Sequence, residues 1–187
     1  AMTSGNGIEG CDFRFESARI MDGKYGLKGL PAVYASEDEA QTLEIVLRDT
    51  AGLAELTLLY GVIPSLDIIT RSVLVRNTSE GEIRIEKLMS ATLDQLYGEY
   101  DLIIFYGRHC MERNFQRTPV AHMDQWIGSR RGMSSHQYNP MMMLAERDAT
   151  ETAGGCYAMQ FVYSGGFSGC VGMDQYGQTR MQLGLMQ

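Results

Sequence analysis

The chain has 187 residues, of which 44% are hydrophobic and 21% charged, and its formal net charge is −7. This length fits one ordinary globular domain, and the composition excludes a disordered or fibrous chain. The excess of acidic over basic residues gives no attraction for a phosphate backbone, so no nucleic-acid partner is predicted.

The first segment, AMTSGNGIEG, lacks both the basic and the apolar part of a secretory signal, and residues 1–2 are typical of a cloning remnant. No apolar run approaches the ~20 residues that a membrane-spanning helix needs, so no membrane partner is predicted. The cysteines are widely spaced and form no CxxC motif, which favours free thiols over a zinc site or disulfides and suits a reducing cytoplasm. They are Cys11, Cys110, Cys156 and Cys170.

Period-two alternation predicts a series of strands along the chain. In TLEIVLRD, residues 42–49, the side chains of Leu43, Ile45 and Leu47 fall on one face and those of Glu44 and Arg48 on the other, as a half-buried strand requires. The same pattern predicts strands within 53–63, 65–77, 81–93, 100–108, 156–164 and 179–185, separated by turn residues. Helical crossovers are not evident. The sequence therefore predicts an all-β chain, a large and mainly antiparallel β-sandwich that forms a single domain over residues 1–187.

The segment WIGSRRGMSSHQYNPMMML, residues 126–144, concentrates side chains that can perform chemistry. GMSSH matches a nucleophile elbow only in part, because that motif needs glycine where His136 stands. Neighbouring side chains on an extended segment point to opposite faces, so Ser134 or Ser135 forms poor triad geometry with His136, and polar turn contacts are favoured. Arg130 and Arg131 diverge for the same reason, so only one of them can face a given phosphate or carboxylate.

Several carboxylates could in principle supply the acid and base of glycoside hydrolysis, but sequence spacing identifies no pair among them, and solvated turn positions are favoured. They include Glu86, Asp94, Glu99, Asp101 and Asp124. The methionines at 141–143 are expected to fill a core or an interface, because thioethers pack flexibly. No cofactor and no metal are predicted.

Six phrases occur in the order and approximate spacing of the N-terminal β domain of glycoside hydrolase family 36, so the chain resembles part of a bacterial α-galactosidase. They are GLPAVYASEDEAQTLEIVLRD, LDIITRSVLVRN, YDLIIFYGRHCMERNFQR, SRRGMSSHQYNP, VYSGGF and DQYGQTRMQLGL. The resemblance covers the chain from about Asp12 onward. It departs at Ala18, where the family has histidine, and at Gly166, where it often has asparagine, so the contacts of those side chains are not carried over.

The resemblance implies a β-supersandwich that precedes a (β/α)8 barrel, and two barrel aspartates that hydrolyse terminal α-galactosides with retention. This chain is then a noncatalytic domain, inactive by itself, that packs on its own barrel within a homo-oligomer, a tetramer in the parent. The resemblance also implies that the chain starts inside the family's domain and stops before its last strand. Missing flanking strands would expose sheet edges and promote self-association.

Within this interpretation, Arg130, Arg131, His136 and Asn139 are the candidate domain-docking residues, predicted to satisfy polar groups in the turn or towards the barrel. Two alternatives remain open. One is a self-sufficient carbohydrate-binding module, for which Trp126 and ten tyrosines are the available aromatic platforms. The other is the same domain of a raffinose-synthase-like transglycosylase.

Overall fold

The computed structural model describes residues 2–4, 7 and 10–186, and it divides into two compact units, residues 1–88 and 89–187. The first unit contains β1 (Met2–Ser4), β2 (Phe13–Asp22), β3 (Gln41–Asp49), β4 (Ala54–Ile63), a 3₁₀ turn (Pro64–Leu66), β5 (Ile68–Asn77) and β6 (Ile83–Ile85). The second contains β7 (Lys87–Gln95, which starts just before the boundary), β8 (Tyr100–Arg108), β9 (Met111–Pro119), β10 (Gln125–Ser129), β11 (Tyr138–Glu146), β12 (Cys156–Gln160), β13 (Phe167–Met173) and β14 (Thr179–Met186). The prediction of one domain over residues 1–187 stays a prediction.

The all-β prediction is confirmed, and every strand pairing whose register is defined in the described residues is antiparallel. Within the same residues, no helix has the length and apolar character of a membrane span.

The first unit is built on a four-stranded meander in the order β2-β3-β4-β5, beside a small β1-β6 ribbon. Short turns satisfy their backbone groups locally: the buried Asp49 carboxylate accepts hydrogen bonds from Asp12 N at 3.0 Å and Leu53 N at 3.1 Å. The longer β2–β3 connection is held against the sheet where Tyr25 N donates to Thr42 Oγ1 at 3.0 Å.

The second unit is a β-sandwich of two four-stranded sheets, ordered β10-β13-β14-β7 and β12-β11-β8-β9. Alternate residues of both sheets meet in one core, in which Met142, Leu144, Val171 and Met181 are fully buried. The central strand β8 is also covered on its other side, where Ile103 packs in a smaller cluster with alanines of and after β11. Burial on both faces explains why this strand is an almost continuous apolar run.

The predicted strands differ from the observed ones where turn-forming residues or glycines interrupt the alternating apolar pattern. Pro64 starts a 3₁₀ turn, which delays β5 to Ile68, and the predicted strand within 81–93 is divided into β6 and β7. β12 ends at Gln160, four residues before the predicted limit. The Gly-rich strand β13 was missed because glycines at 169 and 172 interrupt its apolar pattern.

Candidate functional site

Three segments of the second unit meet at one end of its sandwich, which we call the loop end: the tip of the β8–β9 hairpin (residues 107–113) and the loops 130–137 and 161–166. Backbone hydrogen bonds join them, since Gly107 N donates to Gln137 O at 3.1 Å and Ser134 N donates to Ser164 O at 2.8 Å. These bonds link positions about thirty residues apart in sequence. The loop 130–137, from the segment that is rich in reactive side chains, therefore forms the centre of a larger surface.

Serine hydroxyls shape the 130–137 loop rather than facing a reactive group. Ser129 Oγ donates to Met133 O at 2.6 Å, and Ser135 Oγ accepts from Gln137 N at 3.2 Å. Gly132 has φ +74°, a backbone conformation that glycine adopts without strain. The hydroxyls are thus engaged in turn geometry, and no histidine contacts them among the described residues.

The four sequence-predicted docking residues lie in or beside this loop, but they do not converge on one point. Arg131 Nη2 reaches Gln137 Oε1 at 3.5 Å, a weak contact inside the loop. Arg130 and His136 are exposed and make no hydrogen bond or ion pair to any described residue. Asn139 is half-buried at the start of β11. Their role in docking stays a prediction.

Two open grooves run beside the loop. One, of about 450 Å³, is lined by Trp126, Arg130 and Tyr138. The other, of about 530 Å³, combines Phe105 with the polar side chains of Arg113, Asn139 and Gln160. Both grooves are open to solvent and are lined by aromatic and polar groups together.

The β8–β9 hairpin contributes cationic residues to this surface, and they are not among the docking residues predicted from sequence. Arg108 and Arg113 join Arg130 and Arg131 at the loop end, while Glu112 is the only carboxylate in the three segments. Glu112 Oε1 is occupied by Cys110 N at 2.9 Å. The loop end is therefore positive in a chain of net charge −7, and the sequence signal for it is the GRHCMER turn.

Three of the five carboxylates considered for hydrolysis form ion pairs with arginines. Asp94 is held by Arg180 at 2.6 Å, Glu99 by Arg147 at 2.9 Å, and Asp101 by Arg117 at 2.6 Å. The hydrogen bond from Arg180 lowers the pKa of Asp94, whereas a catalytic general acid needs a raised pKa. Among the described residues, no group of three or more His, Cys, Asp or Glu side chains is arranged to hold a metal ion.

Comparison with known protein families shows which family the chain belongs to. The model of the glycosyl hydrolase family 36 N-terminal domain matches residues 1–187. The chain belongs to this family. The resemblance of its six phrases to the family is thus confirmed, and its antiparallel sheets match the family's N-terminal β-sandwich.

Relatives of this family-36 domain are longer proteins. The bifunctional α-galactosidase/sucrose kinase AgaSK of Mediterraneibacter gnavus is 57% identical over 179 residues, which are 96% of this chain and 19% of that protein. The α-galactosidase AgaA of Geobacillus stearothermophilus is 39% identical over 181 residues, 96% of this chain and 25% of that protein. This chain spans a quarter or less of these relatives.

Solved structures show the same relationship in three dimensions. The galactosidase domain of AgaSK has a TM-score of 0.96 at 55% identity and covers 98% of this chain, which corresponds to 26% of that chain. The crystal structure of AgaA from Geobacillus stearothermophilus has a TM-score of 0.95 at 38% identity, with the same coverage of 98% and 26%. The family-36 fold therefore extends over nearly the whole chain.

Proposed function

We propose that this chain is the noncatalytic N-terminal domain of an α-galactosidase, in which a separate (β/α)8 barrel hydrolyses terminal α-galactosides with retention. The family match over residues 1–187 carries the proposal, together with the small share of each relative that the chain covers. The pairing of Asp94, Glu99 and Asp101 with arginines supports a noncatalytic role. The relatives are named α-galactosidases, which favours hydrolysis over transglycosylation in the parent.

The loop end is the proposed docking surface for the barrel. Its exposed Arg130 and His136 make no hydrogen bond or ion pair to any described residue, and the surrounding arginines give it a positive charge that a carboxylate-bearing surface would complement. We further propose that the domain contributes to assembly of a homo-oligomer, a tetramer in the parent. The free thiols support the cytoplasm as the working compartment.

The proposal is tested by assaying the purified chain with an aryl α-galactoside. The expected result is no turnover. Turnover that disappears when Asp94 or Asp101 is replaced by asparagine would refute the noncatalytic role. In the longer parent protein, Arg130→Glu should lower the melting temperature, whereas Lys28→Glu, at an exposed lysine of the first unit, should not. Equal melting temperatures for both variants would contradict docking through the loop end.

A second candidate function, a self-sufficient carbohydrate-binding module, is favoured by the groove of about 530 Å³ that places Phe105 beside Arg113, Asn139 and Gln160. Aromatic faces with nearby hydrogen-bonding groups are what a sugar-binding site combines. Calorimetric titration with galactose, melibiose and raffinose separates the two functions. Saturable binding that Arg113→Ala abolishes would favour the module, and the absence of heat favours the docking domain.

A further inference from the structure

All four strands of one sheet of the sandwich contribute to the groove of about 530 Å³, which we call the four-strand groove. Phe105 comes from β8, Arg113 from β9 and Gln160 from β12, while β11 supplies residues 139–141. The volume falls within the roughly 300–1,000 Å³ that is usual for small-molecule sites. The groove is therefore large enough for a small ligand.

A bulge in β11 shapes one side of the four-strand groove. Residues 139–141 lie opposite Phe105 alone, because the register of β11 against β8 shifts at this point. Phe161 N donates to Pro140 O at 2.8 Å and holds the bulge from the β12 side. Bulges of this kind re-aim side chains and are common beside active sites.

A second irregularity lies on the other side of the groove, in β9. Glu112 and Arg113 both lie opposite Gly107, and Arg113 has φ +61°. A non-glycine residue in this left-handed region is strained, and such strain is concentrated at functional sites. Two departures from regular pairing thus flank Phe105, one on each neighbouring strand.

Three side chains of the groove have hydrogen-bonding capacity that the chain does not use. Arg113, Asn139 and Gln160 make no hydrogen bond or ion pair to any described residue. By contrast, Arg117, four residues further along β9, donates to Asp101 at 2.6 Å. A guanidinium offers five N–H donors and each amide offers two. The groove is therefore rich in donors, which suits a ligand with many acceptor oxygens.

The charge of the groove is also uncompensated. Arg113 is its one cation, and no carboxylate is among the described residues that line it. Glu112, which precedes Arg113 in sequence, accepts a hydrogen bond from Cys110 N at 2.9 Å. The fork of a guanidinium matches a carboxylate through two parallel hydrogen bonds. The groove thus complements a ligand that carries a carboxylate.

The floor of the groove is apolar. The half-buried ring of Phe105 packs edge to face with Phe115, with ring centroids 6.1 Å apart, and Met141 lies beside it in the lining. A pyranose ring has apolar C–H faces that pack on an aromatic ring, and its hydroxyls point outward to polar groups. A bare anion such as phosphate has no surface to place on this floor.

We propose that the four-strand groove binds a hexuronate, a sugar whose C6 is a carboxylate. Arg113 binds the carboxylate, the amides of Asn139 and Gln160 bind ring hydroxyls, and the sugar ring lies against Phe105. This inference deepens the second candidate function and rests on the groove of that candidate alone. It replaces the neutral galactoside by an acidic sugar, and it does not depend on docking to a barrel.

Calorimetric titration of the 187-residue chain tests the proposal with galacturonate, galactose and the methyl ester of galacturonate. The three sugars share one ring configuration and differ only at C6, so their comparison isolates the carboxylate. The dissociation constant of galacturonate should be lower by about tenfold or more than that of either neutral sugar, because hydrogen bonds to an ionised group are the stronger ones. Added salt should weaken the binding of galacturonate only.

Two substitutions test the groove itself. Arg113→Gln removes the charge and should reduce the affinity for galacturonate to that for galactose. Gln160→Glu, at an exposed position of the edge strand β12, sets a carboxylate against that of the ligand. It should weaken galacturonate by about tenfold and leave the methyl ester unchanged.

Arg108→Gln is the matched control, since it removes the same charge from the same hairpin outside the groove, where Arg108 Nη2 donates to Met111 Sδ at 3.1 Å. It should change the affinity for galacturonate by no more than about twofold, because exposed charges outside the site are screened. Far-UV circular dichroism confirms folding. Gln160→Glu keeps nearly the same side-chain shape, so it tests the proposal even if Arg113→Gln does not fold.

Three results would overturn the inference: no binding of galacturonate, equal affinities for galacturonate and its methyl ester, or equal weakening by Arg113→Gln and Arg108→Gln, which indicates attraction to the positive loop end as a whole. Displacement of galacturonate by an equal concentration of acetate would also overturn it, because the ring would then contribute nothing. Binding of galactose without preference for galacturonate would leave the neutral-sugar module and refute the hexuronate. None of these results affects the aryl α-galactoside assay, so failure of the inference is distinguishable from failure of the proposed function.

Discussion

Replacing Arg117 by methionine should destabilise the second unit more than any other single charge removal in the ion pairs described above. The guanidinium joins three parts of the sandwich. Its Nε donates to Asp101 Oδ2 at 2.6 Å, its Nη1 to Ala149 O at 2.7 Å, and its Nη2 to Glu146 O at 2.9 Å and Arg147 O at 2.8 Å. Methionine keeps most of the aliphatic stem but none of these donors. The substitution therefore isolates the polar contribution.

The size of the effect follows from burial. The Asp101 side chain is 10% exposed and that of Arg117 is 28% exposed. Removing one partner of a buried pair typically costs 3–5 kcal/mol, because the remaining charge has no water to solvate it. The partial exposure of Arg117 places the expected loss near the lower limit, at about 3 kcal/mol. Arg147 Nε, at 3.9 Å from Asp101 Oδ1, is too far to replace the lost hydrogen bond.

The assay is urea unfolding followed by the fluorescence of Trp126, the only tryptophan, which lies in the second unit. For a slope of about 2 kcal/mol/M, the midpoint should fall by about 1.5 M. The matched control is Arg180→Met, whose pair with Asp94 is 62% and 47% exposed, so its loss should cost only about 0.5 kcal/mol.

A double variant, Arg117→Met with Asp101→Leu, should recover part of the stability because no buried charge remains unpaired. Unfolding of Arg117→Met at the same urea concentration as Arg180→Met would show that the buried network does not stabilise the sandwich. A double variant less stable than the single one would show that Asp101 contributes through other contacts.

Two further predictions concern the same sandwich. Gly169→Ala should lower the free energy of unfolding by about 1–3 kcal/mol, because its Cβ would lie 2.3 Å from Met142 Sδ in the filled core. The control is Gly81→Ala, whose Cβ meets nothing within 4 Å. Equal thermal midpoints for the two variants would show that the core adjusts to the added methyl group. The Asp94 pKa is lowered by its hydrogen bond from Arg180, so the pair stabilises the fold above the unfolded pKa of about 3.9, and this stabilisation is lost as the pH falls through the folded value. Asp94→Asn should therefore cost a few tenths of a kcal/mol at pH 7 and nothing at about pH 2, measured by urea unfolding; a constant difference at both pH values would contradict the linkage.

Much of the fold was predictable because strand alternation is a local property. The pattern of Leu43, Ile45 and Leu47 predicted β3 to within one residue, and the run from Tyr100 to Arg108 matches β8. Gly128 in β10 and Gly169 in β13 have no side chain to contribute to a pattern, so neither strand was identified. Close packing explains these glycines, since a Cβ on Gly128 would lie 2.5 Å from Phe167 O.

The candidate site was only partly predictable. Arg130, Arg131 and His136 stand in a distinctive phrase, and they do lie together in one loop. Their neighbours at Arg108 and Arg113 come from a hairpin about twenty residues earlier. The hydrogen bond from Gly107 to Gln137 and the pairing of β8 with β11 show that the two loops adjoin. Such proximity arises from strand order, which residue spacing does not encode.

Sequence alone determined the β class and the family resemblance, because each depends on residue types at short spacing. Tertiary structure decided which arginines share a surface and which carboxylates are neutralised by partners far along the chain, as Asp94 is by Arg180. It also decided that Leu43, Ile45 and Leu47, which alternation marks for burial, stay partly exposed. The physical reason is that periodicity specifies which side chains need to leave water, whereas sheet order and packing specify what is available to cover them.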